Sequence, residues 1–274
     1  MTNRAKWFKP FARAGYASRG LIYAVIGFFS GLAAIGAGRP MDSRQALDAL
    51  LSSSVGSWMT YALVVGLFCY ATWRLIQGGF DTDGHGNGPK GLAVRGGLLV
   101  SSMVYVTLAF YALSLRIGGT DRSDDGFAQN LNIVVGSRWA AAVIAAALAA
   151  VAIGHFTKAL REKYADHLQA SAKAMRLIHP VAKFGLIARG CIFLTVAFLF
   201  ALRSFYADPD STALNSRDAL EYIQSLPAGQ YLLAGTGVGL LSFALYSFAE
   251  AAFRRINVED VLPTTQSAQR VSER

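Results

Sequence analysis

The chain has 274 residues, of which 53% are hydrophobic and only 16% are charged. A soluble domain carries about 25% charged residues, so this chain has too few of them to cover a surface that faces water. The 26 basic and 17 acidic residues give a net charge of +9, which in a soluble protein would suggest nucleic-acid binding. In a membrane protein the same excess is explained by basic loops that stay in the cytoplasm, and we expect no nucleic-acid partner.

Six stretches of the chain contain no formally charged residue. Five are at least as long as the roughly 18 residues that a membrane-spanning helix needs, while the fifth in chain order has 13. The first stretch follows a basic segment but exceeds the apolar core of a secretory signal, so we interpret it as a retained helix. The stretches are Gly20–Gly38, Ala49–Trp73, Gly96–Leu115, Trp139–Thr157, Gly190–Leu202 and Tyr222–Ala249. The sequence predicts an all-α, polytopic membrane protein with six transmembrane helices.

The basic residues lie mostly on one side of these predicted helices. With the N-terminus in the cytoplasm, 19 of the 26 basic residues face inward, and the net charge is +11 inside and −2 outside. Lys and Arg are enriched in cytoplasmic loops, and an even number of crossings returns the chain to its starting side. We therefore predict that both termini are cytoplasmic.

An internal repeat organises the chain. The segment that opens the first membrane helix matches the segment that opens the fifth at five places: Arg13, Gly15, Arg19, Gly20 and Tyr23 align with Lys183, Gly185, Arg189, Gly190 and Phe193. A more diverged copy lies between them, with Arg95, Ser101 and Tyr105 in the places of Arg13, Arg19 and Tyr23. Three copies predict three helical hairpins with pseudo-threefold symmetry. In this alignment the short fifth stretch also spans the membrane.

The repeat divides the chain into seven segments. They are a basic cytoplasmic N-terminal segment at 1–12, repeat 1 at 13–80, a cytoplasmic loop at 81–94, repeat 2 at 95–160, a second cytoplasmic loop at 161–182, repeat 3 at 183–256 and a disordered polar tail at 257–274. All seven prolines fall outside the predicted helical cores or at their edges. The outer loops at 42–51 and 215–223 begin with a capping residue and space their apolar residues as short amphipathic helices do. We expect these helices on the outer membrane surface.

The fourth predicted helix is unusually rich in small residues, with nine alanines between Trp139 and Ala152. Small side chains let transmembrane helices approach closely. We expect this helix to be a tightly packed inner helix.

Three segments resemble a single protein family. They are the repeated Arg-x-Gly-x-x-x-Arg-Gly-x-x-Tyr opening, the end of the second membrane helix at 70–77 and the segment 158–164. The family is a bacterial integral-membrane family known as domain of unknown function 1206, built of three two-helix repeats. The resemblance covers roughly Pro10 to Ile256, although the second repeat departs from it and Phe193 replaces the tyrosine. It implies this architecture and a bacterial inner membrane, and it brings no catalytic residues.

The sequence contains no recognisable catalytic, metal or cofactor motif. The loop Asp81–Gly88 starts like an EF-hand, but Leu92 stands where the bidentate glutamate is needed, so a polar turn is the better interpretation. The four histidines lack the spacing of metal ligands. Cys69 and Cys191 lie in apolar stretches and predict no disulfide framework. We expect no metal, no cofactor and no catalytic site.

Polar residues inside the cytoplasmic half of the membrane are the strongest candidates for function. Aligning the ends of the second, fourth and sixth helices places Gln77, Lys158 and Glu250 at one repeat position, near the depth of Arg19 and Arg189. Ionisable groups at such depth are costly and suggest function, although snorkelling and ion pairing explain them structurally. Glu250, the only acidic residue in a predicted membrane helix, needs a cationic partner. We expect Arg189 of its own hairpin, or Arg19 or Lys158 across a repeat boundary.

Two classes of function fit these observations. The first is a non-enzymatic membrane module with a structural, lipid-organising or partner-binding role, whose partners are membrane lipids, another membrane protein or a second copy of the chain. The second is a transporter or channel for a small solute or ion, with the polar residues as its cytoplasmic gate. The middles of the first, third and fourth helices contain almost only apolar residues, which favours the first class.

Overall fold

The computed structural model describes residues 5–52, 57–117, 138–205 and 216–255. Within these ranges the chain forms eight α-helices and no strand, which confirms the all-α class. A 3-10 turn at Ala165–His167 follows the fifth helix. The helices are α1 Ala5–Ala34, α2 Ser43–Ser52, α3 Ser57–Phe80, α4 Pro89–Ile117, α5 Arg138–Leu160, α6 Ala172–Phe205, α7 Ser216–Ser225 and α8 Gly229–Phe253.

Six of these helices are long and apolar enough to cross a membrane: α1, α3, α4, α5, α6 and α8. This confirms the predicted multi-pass architecture. The short fifth stretch lies inside α6, whose apolar span covers Ala172–Leu202. The helix is therefore much longer than the uncharged stretch, because Lys183 and Arg189 lie within it.

The six long helices pack in a row with the neighbour order α4, α3, α1, α8, α6, α5. The most extensive packing joins α1 to α8, followed by α5 to α6 and α3 to α4. Among the described residues no comparable packing joins α4 to α5, so the row is open between its two ends. The two helices of the predicted second hairpin, α4 and α5, therefore do not pack along each other within the described residues. The pseudo-threefold arrangement stays a prediction.

Glycines of the repeated opening lie where helices approach closely. A Cβ atom at Gly15 of α1 would lie 2.5 Å from the Cα of Tyr70 in α3. A Cβ atom at Gly185 of α6 would lie 2.4 Å from the backbone nitrogen of Phe243 in α8. Tyr70 and Phe243 each precede an aligned residue, Gln77 and Glu250, by seven positions. The contacts inside the first and third hairpins therefore join corresponding residues.

A second pair of glycines shows the same correspondence between neighbouring hairpins. A Cβ atom at Gly20 of α1 would lie 2.8 Å from the ring of Phe248 in α8. A Cβ atom at Gly190 of α6 would lie 2.7 Å from the ring of Phe156 in α5. The α1–α8 and α5–α6 contacts thus have the same register.

The two short helices that the sequence predicts in the outer loops are present as α2 and α7. At the start of α2 the Gln45 backbone N–H donates to Asp42 Oδ1 at 2.8 Å, and the Asp42 N–H donates to Gln45 Oε1 at 3.2 Å. This reciprocal pair is a capping box, which satisfies backbone donors at a helix N-terminus. Asn215, the predicted cap of α7, lies outside the described residues.

The helices extend further on the predicted cytoplasmic side than the sequence suggests. α1 begins at Ala5, α4 at Pro89 and α6 at Ala172, so the predicted loops 81–94 and 161–182 shorten to 81–88 and 161–171. Pro10 and Pro180 lie inside α1 and α6. Both precede the apolar stretch within the first three turns, where a proline removes one helix hydrogen bond. An uncharged stretch identifies the part of a helix that lies in the membrane. It does not show where the helix begins or ends in water.

The alanine-rich helix α5 is not the packed inner helix that we expected. Only 17% of its membrane span is buried, the lowest value of the six, and Trp139, Val143 and Ile153 are exposed. Its packing is with α6. Alanines permit close approach on every side of a helix, but they do not determine how many neighbours the helix has.

We predict that Gly15→Ala and Gly185→Ala each destabilise the protein by about 1–3 kcal/mol, as overpacking typically does. The added methyl group would collide with the backbone of α3 or α8, which cannot move as a side-chain tip can. Thermal unfolding in detergent measures the effect. Gly31→Ala on α1 is the matched control, because nothing lies within 4 Å of a Cβ atom there. Equal melting temperatures for Gly15→Ala and Gly31→Ala would contradict the close approach.

Candidate functional site

Glu250 lies near the end of α8 and is only 2% exposed. Its carboxylate accepts a hydrogen bond from Arg19 of α1 and another from Arg254 Nη1 at 2.6 Å. The Nζ atom of Lys158 in α5 lies 3.9 Å from Glu250 Oε1. The structure thus brings Glu250 together with two of the three cations expected from the sequence, and adds Arg254, which lies four residues later. Three cations surround one buried carboxylate.

All three guanidinium nitrogens of Arg19 donate hydrogen bonds in this site. Its Nε donates to Ser247 Oγ at 3.1 Å, and its Nη1 donates to the Tyr70 hydroxyl at 2.7 Å. The guanidinium carbon lies 5.0–5.3 Å from the ring centroids of Tyr16, Tyr70 and Phe243. Cation–π contacts of this kind are strongest where water is excluded. Arg19 is therefore fully partnered by residues of α1, α3 and α8.

A second carboxylate extends the network to the loop after α3. Asp83 Oδ2 accepts hydrogen bonds from Arg254 Nη2 at 3.1 Å and from Gln77 Nε2 at 2.9 Å. Arg74 Nη1 donates to Gln77 Oε1 at 3.2 Å, and Arg74 Nε donates to the Tyr70 hydroxyl at 2.8 Å. Gln77 is thus part of the site, but it reaches Glu250 only indirectly, through Asp83 and Arg254 on one side and through Arg74, Tyr70 and Arg19 on the other.

We call this network the Glu250 cluster; its members are Glu250, Arg19, Arg254, Lys158, Asp83, Gln77, Arg74, Tyr70 and Ser247. It contains four cations and two carboxylates, so it has an excess of two positive charges. The sequence interpretation omitted Arg254, Asp83, Arg74, Tyr70 and Ser247 from the site. The position of Arg74 three residues before Gln77 is a helical spacing that could have identified it, whereas Asp83 sits in a loop without such a spacing.

The loop at 161–171 positions Arg254. The Gln169 N–H donates to the Phe253 carbonyl at 2.7 Å, and the Arg255 N–H donates to the His167 carbonyl at 2.8 Å. These bonds flank an isolated antiparallel bridge between Leu168 and Arg254. The end of α8 is thereby fixed to this loop, so the Arg254 side chain faces Glu250 and Asp83.

The pKa values of three residues in the same loop, Glu162, Tyr164 and His167, are shifted from their ordinary values. Burial raises the pKa of Tyr164 to about 12, and the neighbouring Glu162 charge adds to this shift. Burial also lowers the pKa of His167, together with the nearby charge of Arg254. Lys183 Nζ lies 2.6 Å from Glu162 Oε1 and lowers the pKa of that carboxyl group. The loop is thus tied to the start of α6 by an ion pair at the surface.

Arg189 does not pair with Glu250, contrary to one of the three partners that the sequence suggested. Its guanidinium lies over the rings of Tyr23, Phe193 and Phe243, at 4.9, 5.2 and 4.6 Å from their centroids. Its Nε atom is buried and has no hydrogen-bond partner within the described part of the chain. The reason is geometric, because Glu250 faces α1, the most extensively packed neighbour of α8. Equal depth in the membrane does not place Arg189 on the same face.

We predict that Glu250→Gln lowers the free energy of unfolding by about 3–5 kcal/mol, because it leaves buried cations without their counter-charge. Thermal unfolding in detergent measures the loss. Glu162→Gln is the matched control, since its ion pair is exposed and such pairs contribute about 1 kcal/mol or less.

The double change Glu250→Gln with Arg19→Gln should cost less than the sum of the single changes, since residues in one network are not additive. Additive losses would show that the two side chains are not coupled.

Comparison with known proteins agrees with the architecture. The family model described as Domain of Unknown Function (DUF1206) matches residues 14–81 and 184–254, about half of the chain. An uncharacterized protein of Bacillus subtilis (strain 168), YxxB, is 28% identical over 258 residues, which cover 92% of this chain and 94% of that protein. No solved structure matches. The two matched regions contain the first and third hairpins together with the Arg19, Gln77, Arg189 and Glu250 positions, and the chain belongs to the DUF1206 family.

Proposed function

We propose that this protein is a non-enzymatic membrane module that binds and organises lipids. The observation that supports this proposal most strongly is that α4 and α5, the two ends of the helix row, do not pack extensively on each other within the described residues. A row that does not close leaves a lateral gap along apolar helices, and lipid is the component of a membrane that can fill such a gap. In this proposal the Glu250 cluster is the structural element that holds the row together.

The surfaces of α4 and α5 support contact with lipid. These two helices have the smallest buried shares of the six. Val100, Met103 and Val104 of α4 are exposed, as are Val143 and Ile153 of α5. Exposed apolar side chains on a membrane-spanning helix face lipid tails, which solvate them as well as a protein interior does.

The burial of the Glu250 cluster supports a structural role for it. A gate must open at a small cost in free energy, whereas separating Glu250 from Arg19 would strand buried charges. Removal of one partner from such a pair costs about 3–5 kcal/mol. The Arg19 guanidinium is also surrounded by three aromatic rings, which exclude water from the position where a gate would conduct.

The alternative function is transport of a small solute or ion, with the Glu250 cluster as a cytoplasmic gate. The observation that favours it is the excess of cations in the cluster, because unpaired positive charge attracts anions. This alternative differs from the main proposal in requiring flux.

We predict that the purified protein, reconstituted in sealed vesicles, gives no flux of chloride or phosphate above that of protein-free vesicles. A swelling assay with the potassium salts and valinomycin measures both anions. The Glu250→Gln variant is tested beside the wild type. If the wild type conducts an anion and Glu250→Gln keeps its stability but loses the flux, the transport alternative replaces the proposal.

The proposed location is a bacterial inner membrane, with both termini and the loops 81–88 and 161–171 in the cytoplasm. The distribution of basic residues supports this orientation.

We predict that single cysteines at Ser123 and Ser211, both outside the described residues, react with a membrane-impermeant maleimide in intact cells after Cys69 and Cys191 are replaced by alanine. A cysteine in place of Ser171, in the loop before α6, is the control and should react only after lysis. The reverse pattern would invert the topology.

A further inference from the structure

We propose that Arg189 is the centre of a binding site for the phosphate group of an anionic phospholipid, which enters from the cytoplasmic leaflet through the gap between α4 and α5. The inference rests on the proposed lipid-binding function and assigns it a site. Free phosphate presents the same chemistry to Arg189, and the experiment below separates the two sources.

The first argument is that Arg189 lacks the counter-charge that Arg19 has. Phe248 packs on Gly20 and Phe156 packs on Gly190, so α8 meets α1 in the same register as α5 meets α6. Glu250 follows Phe248 by two residues. The residue that follows Phe156 by two is Lys158. The position that supplies a carboxylate to Arg19 therefore holds a lysine in the helix beside Arg189.

No side chain among the residues that the structure describes substitutes for this missing carboxylate. Lys158 instead lies near Glu250, at 3.9 Å. The described part of the chain places aromatic rings around Arg189 and no hydrogen-bond acceptor at its buried Nε atom. A cation inside the membrane is costly unless it is paired. An anion that comes from outside the protein would satisfy it.

The second argument is the set of side chains around Arg189. Tyr23 of α1 and Phe193 of α6 lie under its guanidinium, and the His155 ring of α5 lies 5.3 Å from the Phe193 ring. Side chains of α1, α5 and α6 thus lie together around Arg189. The Tyr23 hydroxyl can donate a hydrogen bond to a phosphate oxygen, whereas His155 Nδ1 already lies 2.9 Å from the Val151 carbonyl oxygen.

The third argument is access. Arg19 is 2% exposed, whereas Arg189, Tyr23, Phe193 and His155 are only half-buried. His155 belongs to α5, an end helix of the row, whose membrane span is mostly exposed. The partial exposure of these side chains leaves Arg189 accessible from the outside of the bundle, which the bilayer covers.

The chemistry of the site favours a phosphate group attached to a lipid. Guanidinium binds phosphate through two parallel hydrogen bonds and is more weakly hydrated than an ammonium group. Arg189 lies about 9 Å deeper than Lys183, counting six residues at about 1.5 Å each. An amphiphile can follow the apolar gap to this depth with its tails in the bilayer, while a free anion would have to leave water completely.

The test measures binding of phosphatidylglycerol to the full-length protein in detergent, by native mass spectrometry and by the rise in melting temperature. The variant is Arg189→Ser, because serine already occupies the aligned position 101. Arg176→Ser, an exposed residue of the same helix, is the matched control. We expect the dissociation constant for phosphatidylglycerol to increase at least tenfold in Arg189→Ser and by less than twofold in Arg176→Ser. The melting temperature of Arg189→Ser without lipid should equal that of the wild type, since no carboxylate loses a partner.

A second variant, Arg189→Gln, keeps a long polar side chain between the rings of Tyr23 and Phe193 but removes the charge. It should also weaken phosphatidylglycerol binding at least tenfold, because a neutral amide cannot form the charge-assisted hydrogen bonds that guanidinium forms with phosphate. This variant keeps the inference testable if Arg189→Ser does not fold.

Measurements with two other ligands distinguish the ways in which the proposal could be wrong. Phosphatidylcholine, whose phosphate is balanced by choline, should bind at least tenfold more weakly than phosphatidylglycerol, and inorganic phosphate should not raise the melting temperature. An effect of inorganic phosphate alone that disappears in Arg189→Ser would overturn the assignment to a lipid. Binding of phosphatidylglycerol that is unchanged in Arg189→Ser and Arg189→Gln would overturn the site but leave the proposed function intact. Absence of lipid binding by the wild type would overturn both.

Discussion

The contact between Glu250 and Arg19 is the interaction on which the arrangement of the helices depends. A carboxylate in the interior of a membrane protein must be neutralised by a charge partner, and here the partner comes from the first helix of the chain. The contact therefore joins α8 to α1, and through Tyr70 it adds α3. The row of helices extends outward from this centre to α4 on one side and to α5 on the other.

The same scaffold holds two arginines in opposite electrostatic states. Arg19 and Arg189 occupy aligned positions, and the glycine that follows each of them packs against a phenylalanine of the neighbouring helix. One residue two positions after that phenylalanine decides the difference, since Glu250 neutralises Arg19 and Lys158 cannot neutralise Arg189. Within the described part of the chain, divergence at this single place leaves Arg19 in an ion pair and Arg189 among aromatic rings.

The sequence could predict the helices and their depths, but not which faces of the helices meet. Uncharged stretches show which residues are in the membrane, and the aligned glycines, such as Gly15 and Gly185, indicate where helices approach. Neighbour order depends on contacts far apart in the chain, so Arg189 was an equally plausible partner for Glu250. Asp83 could not be assigned, because its role depends on Arg254, whose direction is determined by the bridge to Leu168 in another loop.

The stability of the bundle explains how an unpaired Arg189 can be retained. Charged groups at this depth reduce stability unless they are satisfied, and the aromatic rings of Tyr23, Phe193 and Phe243 compensate only part of that cost. The remaining cost is tolerated because the Glu250–Arg19 pair and its neighbours hold α1 and α8 together independently of Arg189. Serine occupies the aligned position 101 in α4, so the repeat does not carry a cation at this place in every copy. In the proposal above, an anionic ligand supplies the counter-charge that the described part of the chain does not place at the buried Nε atom of Arg189.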